Sequence, residues 1–146
     1  MSQPAERRNR VRALLISISV ALTVCTCNVQ AAEPVTVHNF VRAESDHMFR
    51  ANMKAFQVSF GEFTHLREPT TPDNQPVIRM NQDTLYSGTV LDLSRPVTIT
   101  LPEVGGRYMS MHVVSQDHYC FVEAKPGAYK LTEKNVGTRF ALVTIR

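Results

Sequence analysis

Val97-Thr98-Ile99-Thr100-Leu101 and, further on, Met109-Ser110-Met111-His112-Val113-Val114 alternate apolar with polar side chains. Successive side chains of a strand point to opposite faces, so each run predicts a strand with one dry face: Val97, Ile99 and Leu101 in the first, Met109, Met111 and Val113 in the second. Between them Glu103-Val104-Gly105-Gly106 has the paired glycines of a turn, which predicts that the two strands form a hairpin. Lys125-Pro126-Gly127-Ala128 and Asn135-Val136-Gly137-Thr138 read as further turns, with strands over 120–124 and 140–145.

Upstream the period changes. Over 37–63, Phe49, Met53, Phe56, Phe60 and Phe63 recur at three- and four-residue spacing, with Val41 and Met48 on an adjoining stripe. That predicts an amphipathic helix with Thr36 as N-cap, Gly61 as break, and an aromatic stripe that enters the core rather than binding a ligand. Residues 67–75, followed by Pro76, are too rich in proline and polar side chains for helix or central strand and read as a loop. The fold class expected is α+β, mainly β: an N-terminal helical segment followed by an antiparallel β-sheet or sandwich, without repeats.

The first thirty-one residues read as a signal peptide. Arg7, Arg8, Arg10 and Arg12 precede an apolar stretch from Ala13 to Cys25, and Val29-Gln30-Ala31 supplies small residues for cleavage. Val24 before Cys25 and Thr26 before Cys27 argue against lipidation, and Arg10 against the twin-arginine route. The expectation is an exported protein, periplasmic or secreted, with one β-rich domain over 32–146 and membrane contact only through an uncleaved leader. The formal charge of +3 belongs to that leader. Once it is removed acidic and basic side chains balance, and no nucleic-acid partner is expected. Cys25 and Cys27 leave with it, so Cys120 stands alone, unable to form an intramolecular disulfide and expected to be a small buried apolar residue.

The chain has no Gly-x-Ser-x-Gly elbow, phosphate-binding glycine loop, dinucleotide fingerprint, Cys-x-x-Cys or His-Glu-x-x-His, and no cofactor or metal is expected. Three weaker constellations remain. Glu44 and His47 have helical Glu-x-x-His spacing but lack the second such motif of a di-iron site, and read as a solvated face. His112, Asp117 and His118 bring two imidazoles and a carboxylate to one strand end, which makes them the catalytic candidates, while Tyr108 and Ser110 share the polar face of His112. Val77-Ile78-Arg79-Met80-Asn81-Gln82-Asp83-Thr84-Leu85-Tyr86-Ser87 is the most distinctive. Its Asn, Asp and Thr side chains suit a turn before a strand, and Arg79 and Asp83 equally suit a buried ion pair close to Tyr86.

This last segment, with Arg42-Ala43-Glu44 upstream and Asp92, Gly106-Arg107-Tyr108, Asp117-His118-Tyr119, Pro126-Gly127 and Gly137-Thr138-Arg139 downstream, resembles the domain-of-unknown-function 1254 family from about Val35 to Arg146. Relatives often carry Arg where this chain has Gln82, exchanging a charge for an amide. The resemblance implies a β-rich domain, commonly exported in bacteria and followed by a second β-rich domain. It implies no settled reaction.

Two functions of different class follow. One is a small-ligand-binding or accessory module of a larger two-domain exported architecture, with Arg79, Asn81, Asp83, Tyr86, Arg107 and Tyr108 as binding candidates. The other is a hydrolase using His112, Asp117 and His118 with a metal or an activated water. Finally, 139–146 reads as a strand running almost to the last residue. That predicts a domain cut short at its C-terminus, whose last strand offers an unpaired edge to a second β-rich domain or to another copy.

Overall fold

Tyr86–Asp92 and Phe140–Ile145 are the strands on which the larger sheet is built. In the computed structural model, which describes residues 33–73, 75 and 79–146, the order is α1 (Phe40–Phe56), β1 (Thr64–Leu66), β2 (Tyr86–Asp92), β3 (Val97–Leu101), β4 (Met111–Ser115), β5 (Cys120–Glu123), β6 (Gly127–Leu131), α2 (Glu133–Val136) and β7 (Phe140–Ile145). The expected leader lies outside the described residues. A five-stranded sheet has the order β1-β2-β7-β4-β5, β3 and β6 form a two-stranded sheet, and every pairing is antiparallel. The protein is α+β, mainly β.

Register explains the core. Thr89 and Val113 both face Val143, and Leu91 and Ser115 both face Ala141, so these side chains share one side of the larger sheet. Leu91, Met111, Val113, Ala141 and Val143 are buried there in one cluster with Ile99 and Leu101 of β3, Leu131 of β6 and Val136 of α2. The alternation read from sequence holds in both β3 and β4. The expected hairpin between them does not form, because β3 pairs with β6 while β4 lies between β7 and β5. The glycine turn is present, with φ 60° at Gly105 and 85° at Gly106, but it turns a connection that crosses from one sheet to the other. Alternation fixes which residues are dry and leaves the partner strand open.

Helix α1 is shorter than the aromatic stripe. Gln57 takes the left-handed conformation at φ 53°, with its N–H donating to Lys54 O (3.3 Å) and the N–H of Val58 to Met53 O (3.1 Å), a Schellman closure before Gly61 is reached. Phe60 and Phe63 therefore follow the helix. Of the stripe only Phe49 is buried; Phe56 and Phe60 are exposed, and Phe60 instead stacks on Phe140 at 5.2 Å. The N-cap is Asn39, whose Oδ1 accepts the backbone N–H of Thr36 (2.7 Å), not Thr36 itself. The expected turn at 135–138 contains the end of α2, started by the Thr132–Asn135 capping box and ended by Gly137 at φ 94°.

Two expectations about edges and burial are corrected. β7 lies inside the sheet with β2 and β4 on either side, so the C-terminal strand has no unpaired edge; the open edges are β1 and β5. Cys120 is exposed at the start of β5, since only one face of that strand meets the core. Among the described residues no helix is long and apolar enough to cross a membrane.

Candidate functional site

The sequence-derived candidates fall at opposite ends of the larger sheet. At the end where β4 stops, Ser115 accepts the backbone N–H groups of Asp117 (3.3 Å) and Tyr119 (3.2 Å) on its hydroxyl, which shapes a tight turn with His118 at φ 62°. Gln116, 5% exposed, is the hub of this end. Its backbone N–H donates to Thr138 Oγ1 (3.0 Å), its Oε1 accepts the N–H of Phe140 (3.2 Å), its Nε2 donates to Asp46, and its carbonyl accepts from Ser45 Oγ (2.8 Å). Helix α1 is thus held to β4 and β7 by hydrogen bonds. Arg42 adds an ion pair to Asp117.

Beside this hub Arg139 clasps Asp92 through two bonds of 2.9 and 2.7 Å and lies 4.9 Å over the Phe140 ring. The Arg139 hydrogen bond, and then the backbone N–H of Ser94, hold the Asp92 carboxyl well below the usual carboxylate range, and Asp92 in turn raises Arg139. Three of the motifs that suggested a family, around Arg42, Asp117 and Thr138, therefore meet in one structural clasp. His112 stands apart from it, on the face of β4 opposite Met111 and Val113 and about 10 Å up the strand from Ser115. Asp117 is occupied by Arg42 and His118 is exposed in the turn. Among the described residues no group of three His, Cys, Asp or Glu is placed to hold a metal ion.

The other end of the sheet, where β2 and β4 begin, carries the binding candidates. Asn81 Oδ1 accepts the backbone N–H of Asp83 (2.7 Å), an Asx turn leading into β2. Arg79, at φ 61°, and Asp83 are both exposed and do not pair with each other; Val77 and Ile78 lie outside the described residues. Tyr86 opens β2 opposite Leu66, and the next pair inward joins His65 Nδ1 to Ser87 Oγ at 2.7 Å. Ser110 is buried, not on a polar face: its backbone exchanges hydrogen bonds of 2.8 and 3.0 Å with Arg146.

Arg107 and Tyr108, by contrast, do share a cavity. It has a volume of about 180 Å³ between the β3–β4 connection and the β5–β6 turn, with Leu101, Val104 and Met109 as apolar wall and Glu103 and Lys125 at its polar side. Among the described residues the only side-chain bond of Arg107 is a long one from Nε to Val104 O, 3.4 Å. Tyr108 is 72% exposed. Sequence reading named Arg107 and Tyr108, which line this cavity, but not Lys125, which arrives from a turn that pairing with β4 and β3 brings to the same place.

A family model described as "Protein of unknown function (DUF1254)" matches residues 60–145, from just before β1 to the last residue of β7. The chain belongs to the DUF1254 family. The DUF1254 match contains both sheets, the Asx turn, the His65–Ser87 pair and the Arg107 cavity; α1 precedes it. No curated protein and no solved structure matches the chain.

Proposed function

We propose that this DUF1254 chain is an exported small-ligand-binding module, and that its site is the cavity of Arg107, Tyr108 and Lys125. The observation that carries the reading is two cations against one carboxylate, Glu103, on a cleft with apolar walls. A guanidinium presents a planar fork that matches a carboxylate, and an adjoining aromatic face suits an apolar body. The volume of about 180 Å³ is below the range of drug-sized pockets and suits a small carboxylic acid. Export is supported by the sequence pattern of residues 1–31, in which Arg7, Arg8, Arg10 and Arg12 precede the apolar stretch from Ala13 to Cys25 and small residues follow at Val29 and Ala31.

Benzoate titrated into the protein at low ionic strength, followed by two-dimensional NMR, tests this. Shifts should concentrate at Arg107, Tyr108, Met109 and Lys125, and Arg107→Ala should weaken binding about tenfold or more, the cost of one charge-assisted bond. Acetate should bind more weakly than benzoate. Shifts scattered over the surface, or equal affinity in Arg107→Ala, would remove the cavity from consideration.

A further inference from the structure

At the β1 edge of the larger sheet, a serine and a histidine separated by twenty-two residues stand as direct cross-strand partners, His65 opposite Ser87, with Nδ1 and Oγ 2.7 Å apart. Directly opposed residues of antiparallel strands share a face, here the face that continues through Ile145 and Met111. Phe63 stacks on the imidazole with ring centroids 6.2 Å apart and planes 9° apart, which holds the ring's orientation. One pair deeper on the same face is Thr89, 3% exposed, whose buried hydroxyl has no hydrogen-bond partner among the described residues; the buried hydroxyl of Thr84, three residues before Ser87, has none among them either. Buried polar groups in folded proteins are nearly always paired, so two orphan hydroxyls flanking a Ser–His pair mark a place where the fold has not satisfied its own polar groups.

Serine is a weak nucleophile until a base within hydrogen-bond reach takes its proton. We infer that Ser87 is an acyl-accepting nucleophile with His65 as its base, and that the substrate class is esters of small carboxylic acids. As Ser87 Oγ bonds to the ester carbonyl carbon, its proton passes to His65 Nδ1. The ester C–O bond then breaks and His65 returns that proton to the leaving alcohol. Water attacks the acyl-serine, again giving a proton to His65; the Ser87 Oγ–acyl bond breaks, His65 reprotonates Ser87, and the carboxylic acid is released. Ile145, half-buried beside Ser87 in register, offers the acyl group an apolar wall. The pair is distinct from the Arg107 cavity and does not depend on a ligand binding there.

A fluorophosphonate probe and p-nitrophenyl acetate test the assignment on the full chain. With the probe, Ser87 Oγ bonds to phosphorus, fluoride leaves and the proton goes to buffer. The expected result is a single adduct by intact mass, mapped by peptide sequencing to Ser87. It should be absent in Ser87→Ala and formed a hundredfold or more slowly in His65→Gln, the scale of general-base assistance. Ser94→Ala, at the far end of β2, should label at the wild-type rate, and thermal melts establish that each variant is folded. p-Nitrophenolate release should follow the same order. No adduct on the wild type, an adduct on another residue, or wild-type labelling of folded His65→Gln overturns the proposal; if neither variant folds, the site of the wild-type adduct decides alone.

Discussion

Gln116 shows how much one buried amide contributes when all its polar atoms are used. Its backbone and side chain together bond Ser45, Asp46, Thr138 and Phe140, from two separate segments. Truncation to alanine leaves the N–H of Phe140 without its acceptor and Asp46 without its donor, and an unsatisfied buried group costs about 1–3 kcal/mol. Gln116→Ala should therefore destabilise the domain by about 2 kcal/mol in urea unfolding, whereas Arg42→Ala, which removes an ion pair with both partners nearly half-exposed, should cost under about 1 kcal/mol. Equal costs would mean that the helix is held by the ion pair. Asp92 carries a pH dependence of definite sign. Its carboxyl titrates lower in the folded protein than in the unfolded chain, so its stabilisation is fully present above about pH 4 and is lost as pH falls through the depressed folded value. Melting wild type and Asp92→Asn between pH 7 and 2 should show wild type ahead at neutral pH and the gap closing below about pH 4; a gap constant to pH 2 would separate the stabilisation from this carboxyl. Neither Gln116 nor the Asp92–Arg139 clasp was legible in the sequence. Each joins residues far apart in the chain, so no local pattern exposes them, and the same holds for the ion pair of Asp117, read as a catalytic candidate, with Arg42.

Element faces were legible where one side of a strand is dry. β3 and β4 bury Ile99, Leu101, Met111 and Val113 as expected of them, with Val97 and, just before β4, Met109 half-buried beside them, since a period of two is set by backbone geometry alone. Their partners were not legible, because both sheets feed one core and the same dry residues suit either pairing. The aromatic stripe misled for a related reason: its spacing continues past Phe56 while the backbone does not, and Gln57 rather than Gly61 makes the break. That position supports a stability prediction. A non-glycine residue at φ 53° carries roughly 1–2 kcal/mol of left-handed strain, against the roughly 0.5–1 kcal/mol that glycine loses through its greater freedom in the unfolded chain. Gln57→Gly should thus raise stability by roughly 0.5–1 kcal/mol, read as a higher urea midpoint at unchanged slope. A lower midpoint would mean that the glutamine side chain contributes more than the strain costs.

For the molecule as a whole, the polar chemistry divides between the two ends of one sheet. The end at Gln116 is closed by the bonds of α1 and the Asp92–Arg139 clasp, while the end where β2 and β4 begin holds the Asx turn, the His65–Ser87 pair and the Arg107 cavity. β7 runs between them with both neighbours paired along its length, Phe140 to Ile145 against β2 and Ala141 to Ile145 against β4. Amides in such a strand open only when the sheet itself opens, whereas those of the short edge strands β1 and β5 have one paired side and open by fraying. Native-state hydrogen exchange should therefore place the slowest amides in β7, with free energies of opening equal to that of global unfolding, and the fastest strand amides in β1 and β5. The sequence alone suggested the reverse, a last strand waiting for a partner, and truncation separates the two pictures. Deleting residues 140–146 would leave an otherwise folded domain if β7 were an added edge. With β7 at the centre, the deletion removes Ala141 and Val143 from the core and separates β2 from β4, and the expected circular dichroism spectrum is that of an unfolded chain with no cooperative melt.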